Sequence, residues 1–210
     1  MPKQIQRDRK IYLAPEIIGE YNNHEPVVYD ERNGNVELNP RDVGTKITIY
    51  EREVQEWFLN PATQLLSENS FNNSFIVLMV CMSYIEGVEQ YKTGVESSRR
   101  SKECFIDSVN RLYPDEFTDR ELGKLYSKSR CGLFHNGMVK GGVIFSCDYD
   151  RAIEFLDKGE IININPDILL QRLQADFKNF INELRLGIAP NANEELKVLN
   201  ESFNRMFTVL

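Results

Sequence analysis

Two residues near the middle of the chain have side chains suited to chemistry on a phosphodiester. Arg130 and His135 lie five residues apart in the segment Arg-Cys-Gly-Leu-Phe-His. An arginine is a permanent cation whose planar fork matches phosphate oxygens, and a histidine can take or give a proton near neutral pH. Together they supply what metal-independent RNA cleavage needs: a base for the 2′-hydroxyl, an acid for the leaving oxygen and a cation for the charged phosphorane.

The segment is predicted to end a helix. Residues 118–121 match a capping box, apolar residues follow at helical spacing, and Gly137 is free to take the left-handed conformation that ends a helix. Residues five apart on a regular helix point roughly 140° from each other. Arg130 and His135 therefore converge only if the last turn unwinds, which Gly132 favours, or if a second copy completes the site.

A structural interpretation of the same pair stays open. A histidine near a helix C-terminus often caps or packs, and an arginine in a bundle often pairs with a buried glutamate. Glu86 and Glu89 lie on a predicted helix over residues 71–93 and are available as partners. The other histidine, His24, is predicted to be an exposed loop residue.

The remaining elements predict a mainly α fold, a helical bundle. Apolar residues at helical spacing predict helices over 46–68, 71–93, 98–113, 119–135, from Pro166 to Gly187 and from about 192 to 207. Short β-like runs over about 138–165 predict a small antiparallel hairpin or meander, inserted before the long C-terminal helix.

Three domains follow from this pattern. Residues 1–45, rich in proline and glycine, are predicted to be an irregular N-terminal arm in which Val27–Tyr29 is a candidate strand. The helical domain covers 46–190. Residues 191–210 carry a C-terminal helix suited to docking on the body or on a second subunit.

Composition narrows the function. The net charge is −7 and the isoelectric point is about 5.1, which argues against a general nucleic-acid binder that relies on a basic surface. The chain has no P-loop and no GxGxxG motif, so we expect no cofactor. With two histidines and no clustered Cys/His pattern we expect no metal site, and we interpret the four cysteines as free thiols.

The sequence also indicates where in the cell the protein is expected. No secretory signal is visible at the N-terminus, and the longest apolar run, from Phe75 to Met82, is eight residues, whereas a membrane-spanning helix needs about 20. We therefore expect a cytoplasmic protein with no membrane partner.

The phrase from Leu125-Tyr126 to His135-Asn136-Gly137 resembles the higher eukaryote and prokaryote nucleotide-binding (HEPN) superfamily, compact helical domains common in toxin–antitoxin and defence systems. The family signature is an arginine followed by a histidine, here Arg130 and His135. The likeness extends loosely over residues 50–190 and tightly over 122–137. Two positions depart from the family pattern: Cys131 stands where a polar residue is usual, and Leu125 where an acid or amide is frequent.

The resemblance implies a metal-independent endoribonuclease, a toxin or defence effector, that works as a homodimer. Arg130 would then stabilise the transition state and His135 would act as general acid and base. Candidate binding residues around them are Asn136, Glu86 and Tyr126. An antitoxin or another protein is an expected partner.

Two other hypotheses stay open. One is a non-catalytic HEPN-like module that binds a nucleotide, RNA or a protein, which the acidic balance and the two departures favour. The other is a helical interaction protein whose Arg130–His135 pair is structural and whose C-terminal helix is the docking element.

Overall fold

The protein is described from a computed structural model, which covers residues 10–22 and 25–209. His24 lies outside the described residues. The chain divides into two compact units, one formed by Met1–Phe58 with Ile181–Leu210 and the other by Leu59–Phe180. Within the described residues, no helix is both long enough and apolar enough to cross a membrane.

The first unit contains a four-stranded antiparallel sheet that the sequence prediction missed. Its strands, in spatial order, are β1 Ile11–Ala14, β2 Ile17–Asn22, β3 Glu25–Asp30 and β4 Val36–Leu38. The mainly α fold class, and with it an all-α protein, is therefore wrong: the fold is mixed, with two sheets and helices.

The reason lies in the turn residues between the strands. Glu16 and Asn35 have positive φ angles of 57° and 59°, and Gly34 has 74°, so these polar and glycine positions make tight turns. The candidate strand at Val27–Tyr29 is confirmed, since it lies within β3. Residues 10–22 and 25–38, for which we predicted an irregular arm, form a set of short paired strands.

A buried ion pair joins this sheet to the next helix, α1 (Val43–Val54). Arg52 donates two hydrogen bonds to the carboxylate of Asp30, at 2.8 and 2.6 Å, and their side chains are only 10% and 4% exposed. Burial alone would raise the pKa of Asp30, but hydrogen bonds from Arg52 and Asn33 outweigh it and hold the pKa below its ordinary value.

The last helix, α7 (Glu194–Met206), packs within its own chain. Phe203 lies 5.4 Å from the ring of Tyr50 on α1, and Phe207, just past the helix, lies at the same distance. The helix spacing allowed docking either on the body of the same chain or on a second subunit. In the structure the helix packs on α1 of the same chain.

The second unit is built on long helices. α2 (Asn60–Thr93), which is kinked at Asn69, and α3 (Ser101–Leu112) contact the middle of α6 (Pro166–Gly187). Asp176 on α6 accepts a hydrogen bond from Tyr84 at 2.8 Å and forms an ion pair with Arg111, so these three helices share one polar contact. Pro61 is preceded by a π-helical turn over Gln55–Leu59, which gives room to a residue that has no N–H and crowds the preceding turn.

The small sheet before α6 is present, but its topology differs from the prediction. Strands β5 Val143–Phe145, β6 Ile153–Leu156 and β7 Ile161–Ile164 are ordered β5-β7-β6, and β5 runs parallel to β7. The antiparallel meander is therefore wrong for β5. The sequence gives no local signal for this pairing, because a parallel neighbour is reached by a long connection, not by a tight turn.

Candidate functional site

The helix that carries the motif begins at Asp119, as predicted, and ends at Asn136, one residue past the predicted end. α4 (Asp119–Leu125) starts with the Thr118 and Glu121 capping box, in which both reciprocal hydrogen bonds are present. The helix continues through a π-helical turn over Tyr126–Arg130 into α5 (Cys131–Asn136). Gly137, with φ of 69°, ends it by donating its N–H to the carbonyl of Leu133 at 3.1 Å.

The chain after the motif folds back against the end of this helix. The N–H of Lys140 donates to the carbonyl of Lys128 at 2.9 Å. A Cβ atom added to Gly132 would lie 2.8 Å from the carbonyl oxygen of Met138 and 3.0 Å from the nitrogen of Lys140. Glycine at this position is therefore required by close backbone approach, and α5 remains wound through Asn136.

Arg130 is held by Glu86 of α2. Its Nε and one terminal nitrogen donate to the two carboxylate oxygens at 2.6 and 3.0 Å, and the side chains are 18% and 12% exposed. Burial lowers the pKa of the guanidinium, but the Glu86 carboxylate outweighs it, so the pKa is raised. The glutamate partner that the structural interpretation predicted is thus present, and Glu89 pairs instead with Arg111.

Two aromatic rings flank the Arg130 guanidinium. The ring of Phe134 lies 5.0 Å away and that of Tyr126 lies 5.7 Å away, distances suited to cation–π contact. Tyr126 is itself fixed by Phe105 of α3, with ring centroids 5.5 Å apart. Burial and a hydrogen bond with Cys131 raise the pKa of the Tyr126 hydroxyl. Phe134 remains 43% exposed, so one face of the cluster is open.

A small cavity of about 210 Å³ lies beside this cluster. Arg130 and Phe134 contribute to its wall from one side, and Met82, Ser83, Glu86, Gly87 and Gln90 of α2 contribute from the other. The second terminal nitrogen of Arg130 has no hydrogen-bond partner among the residues that the structure describes. The cavity therefore combines an available guanidinium edge, a carboxylate, an amide and an aromatic ring.

His135 and Asn136 are not brought into this cavity. Both are exposed, neither contributes to its lining, and neither side chain makes a hydrogen bond within the described part of the chain. Since α5 stays wound, the unwinding that would bring His135 towards Arg130 does not occur. Of the predicted site residues, the structure groups Arg130, Glu86 and Tyr126 and leaves the other two outside.

Sequence reasoning missed Phe134 and Gln90. A spacing signal was available: Tyr126, Arg130 and Phe134 recur every four residues, and Glu86 and Gln90 do the same on α2. Over residues 10–22 and 25–209, no group of three or more histidine, cysteine, aspartate and glutamate side chains is placed to hold a metal ion.

Comparisons with known proteins give no family. No protein-family model, no curated protein and no solved structure matches the chain. Membership of the HEPN superfamily has no support from them.

Proposed function

We propose that the chain is a HEPN-like module that binds single-stranded RNA at the Arg130 cluster without cleaving it. One observation carries the proposal: Glu86 fixes one edge of the Arg130 guanidinium while the other edge stays available beside the half-exposed Phe134 ring. Sequence-tolerant binding of single strands commonly uses aromatic rings on which bases stack, helped by arginine.

The ion pair argues for binding over catalysis. Because Glu86 neutralises Arg130 at short range, the pair attracts a phosphate less than a free arginine does, and it is less able to stabilise the extra negative charge of a phosphorane. The net charge of −7 also disfavours strong attraction of a phosphate backbone. We therefore expect affinity to come from stacking, with a slope of log K against log salt no steeper than about −0.7, the value for one phosphate contact on a single strand.

The proposal is tested with a fluorescently labelled single-stranded RNA and anisotropy. Phe134→Ala should weaken binding roughly tenfold or more, given the usual contribution of base stacking. Ile144→Ala is the matched control, because Ile144 is 42% exposed in the same unit and does not contribute to the cavity. Unchanged affinity in Phe134→Ala, or an equal loss of affinity in Phe134→Ala and in the control, would remove the support for this site.

A variant that keeps charge balance tests the arginine. Replacing the ion pair by Glu86→Gln with Arg130→Gln leaves two amides that can still hydrogen-bond, so the fold is protected from an unpaired buried charge. The double variant should bind RNA more weakly than wild type while its thermal unfolding remains cooperative. Wild-type affinity in this variant would show that the Arg130 edge takes no part.

Metal-independent endoribonuclease activity is the second candidate, favoured by the position of His135. Its imidazole is exposed directly after Phe134 and makes no hydrogen bond within the described residues. It is therefore free to reach a substrate or the site of a second copy. Homodimerisation is part of this candidate and is measured by light scattering.

The two candidates differ in what happens to the RNA. With EDTA present, the binding module leaves the RNA intact, in both wild type and His135→Ala. An endoribonuclease would cut it to fragments with cyclic or 3′-phosphate ends in wild type alone, and that result would replace the binding proposal.

A further inference from the structure

A second and larger cavity lies in the Leu59–Phe180 unit, away from the Arg130 cluster. Its volume is about 660 Å³, within the range of about 300–1,000 Å³ typical of small-molecule sites. Three segments form it: the turn after α3 with Tyr113, the start of β6 with Ala152 and Ile153, and the first turns of α6 with Ile168 and Arg172. None of these residues belongs to the proposed RNA site.

One buried asparagine fixes the rim of this cavity. Asn165, 3% exposed, donates its side-chain N–H to the carbonyl of Tyr149 at 2.8 Å and its backbone N–H to the carbonyl of Ala152 at 3.0 Å. The two residues between those anchors, Asp150 and Arg151, both line the cavity. Their backbone is therefore held on both sides, although their side chains are exposed.

Four charged side chains line the cavity without neutralising one another. They are Arg151, Arg172, Asp150 and Glu116, and no hydrogen bond or ion pair joins any two of them in the described structure. Arg172 is positioned by one hydrogen bond to the carbonyl of Leu112 at 2.7 Å and keeps its other donors available.

Tyr113 forms part of the same wall. Tyr113 is 9% exposed, and its hydroxyl is buried with no hydrogen-bond partner among the described residues. Its ring lies 5.8 Å from the Arg172 guanidinium. The hydroxyl is itself inaccessible, so what Tyr113 offers this cavity is its ring, which helps to position the Arg172 guanidinium.

The balance of charges selects the class of ligand. Two arginines and two carboxylates surround one cavity. A simple anion is attracted by the arginines but repelled by the carboxylates, and a simple cation is attracted by the carboxylates but repelled by the arginines. We propose that the cavity binds a zwitterion with a free α-ammonium and a free α-carboxylate, an amino acid or a short peptide. The carboxylate lies at Arg151 and Arg172, which suit its planar geometry, and the ammonium lies at Asp150 and Glu116.

The test is isothermal titration calorimetry of the full chain with three probes: tri-alanine, free L-alanine, and tri-alanine blocked by acetylation and amidation. Tri-alanine or L-alanine should bind, and the difference between them identifies the size of the ligand. The blocked peptide should bind at least about tenfold more weakly, because both charged ends are lost. Equal binding of the blocked peptide, or no binding of either zwitterion, overturns the proposal.

Variants connect the binding to this cavity. Arg151→Gln should weaken the unblocked probe at least about tenfold, whereas Arg120→Gln, at an exposed arginine outside the lining, should leave it unchanged. Both positions are exposed, so both variants should fold, which thermal unfolding checks. Equal affinities in the two variants, or inorganic phosphate competing as well as the zwitterion, would contradict the assignment.

Discussion

Arg130 donates to both carboxylate oxygens of Glu86, at 2.6 and 3.0 Å, across a sequence separation of 44 residues. This ion pair joins the helix that carries Phe134 to the long helix α2. The pair fixes Arg130 in the wall of a cavity. One edge of the guanidinium is hydrogen-bonded to Glu86, and the other edge is available to a ligand.

The free energy of unfolding should depend on this pair as a unit. Glu86→Ala leaves the Arg130 charge mostly buried and unpaired, and should cost roughly 3 kcal/mol. Adding Arg130→Met removes that charge and should recover part of the loss. Urea unfolding of the wild type, both single variants and the double variant gives the coupling energy. Strict additivity of the two single losses would contradict a direct interaction.

Gly132→Ala should destabilise the end of the motif helix. The new Cβ would meet the Met138 carbonyl oxygen at 2.8 Å, so the returning chain must move, at a cost of about 1–3 kcal/mol. Hydrogen exchange at the Lys140 amide should become faster. Gly123→Ala is the control: its Cβ comes no closer than 3.7 Å to Lys102 Nζ, and the change should be neutral or stabilising by up to about 1 kcal/mol.

The Asp30–Arg52 ion pair should make stability fall in acid. The pKa of Asp30 is lowered in the folded state, so its contribution is fully present above the unfolded value, about 4, and is lost as the pH falls through the folded value. Asp30→Asn should flatten that part of the pH profile of urea unfolding. Glu37→Gln, at an exposed acid, should not, and an identical profile in all three proteins would be the contrary result.

Glu53 should have the opposite effect on how stability depends on pH. Its side chain makes no hydrogen bond or ion pair within the described residues, and burial raises its pKa from 4.5 to about 7. The folded state favours the neutral carboxyl, so stability is lost as the pH rises between those values. Glu53→Gln should therefore be more stable than wild type at pH 8 and equal to it near pH 4. If wild type and Glu53→Gln had the same melting temperature as each other at pH 8 as well as at pH 4, burial of Glu53 would not affect its ionisation.

The helix ends were predictable because their signals are local. The capping box at Thr118 and Glu121 and the stop residue Gly137 are each recognised within a few residues, and each is confirmed. The four-stranded sheet was not predicted, because strands of three to six residues depend on partners elsewhere in the chain. The glycines and prolines of this segment suggested irregularity, whereas Pro15 and Gly34 lie in turns between strands and Gly19 and Pro26 lie within strands.

The candidate site was predictable only in part. Arg130 and its glutamate partner follow from residue type and from the helix pattern, but which of Glu86 and Glu89 pairs with it depends on how α2 packs. The exclusion of His135 depends on whether the last turn unwinds, and Gly132 suggested that it would. The structure instead uses Gly132 for close approach of residues 138–140.

The most direct test of RNA binding at the Arg130 cluster is one reaction read in two ways. Labelled single-stranded RNA is mixed with wild type, Phe134→Ala, His135→Ala or Ile144→Ala in EDTA; anisotropy reports binding and a denaturing gel reports RNA length. The proposal predicts intact RNA in every reaction, binding by wild type, His135→Ala and Ile144→Ala, and a loss of roughly tenfold or more in Phe134→Ala. Cleavage that disappears in His135→Ala would contradict it and establish the ribonuclease, whereas absence of binding by wild type would contradict the RNA site itself.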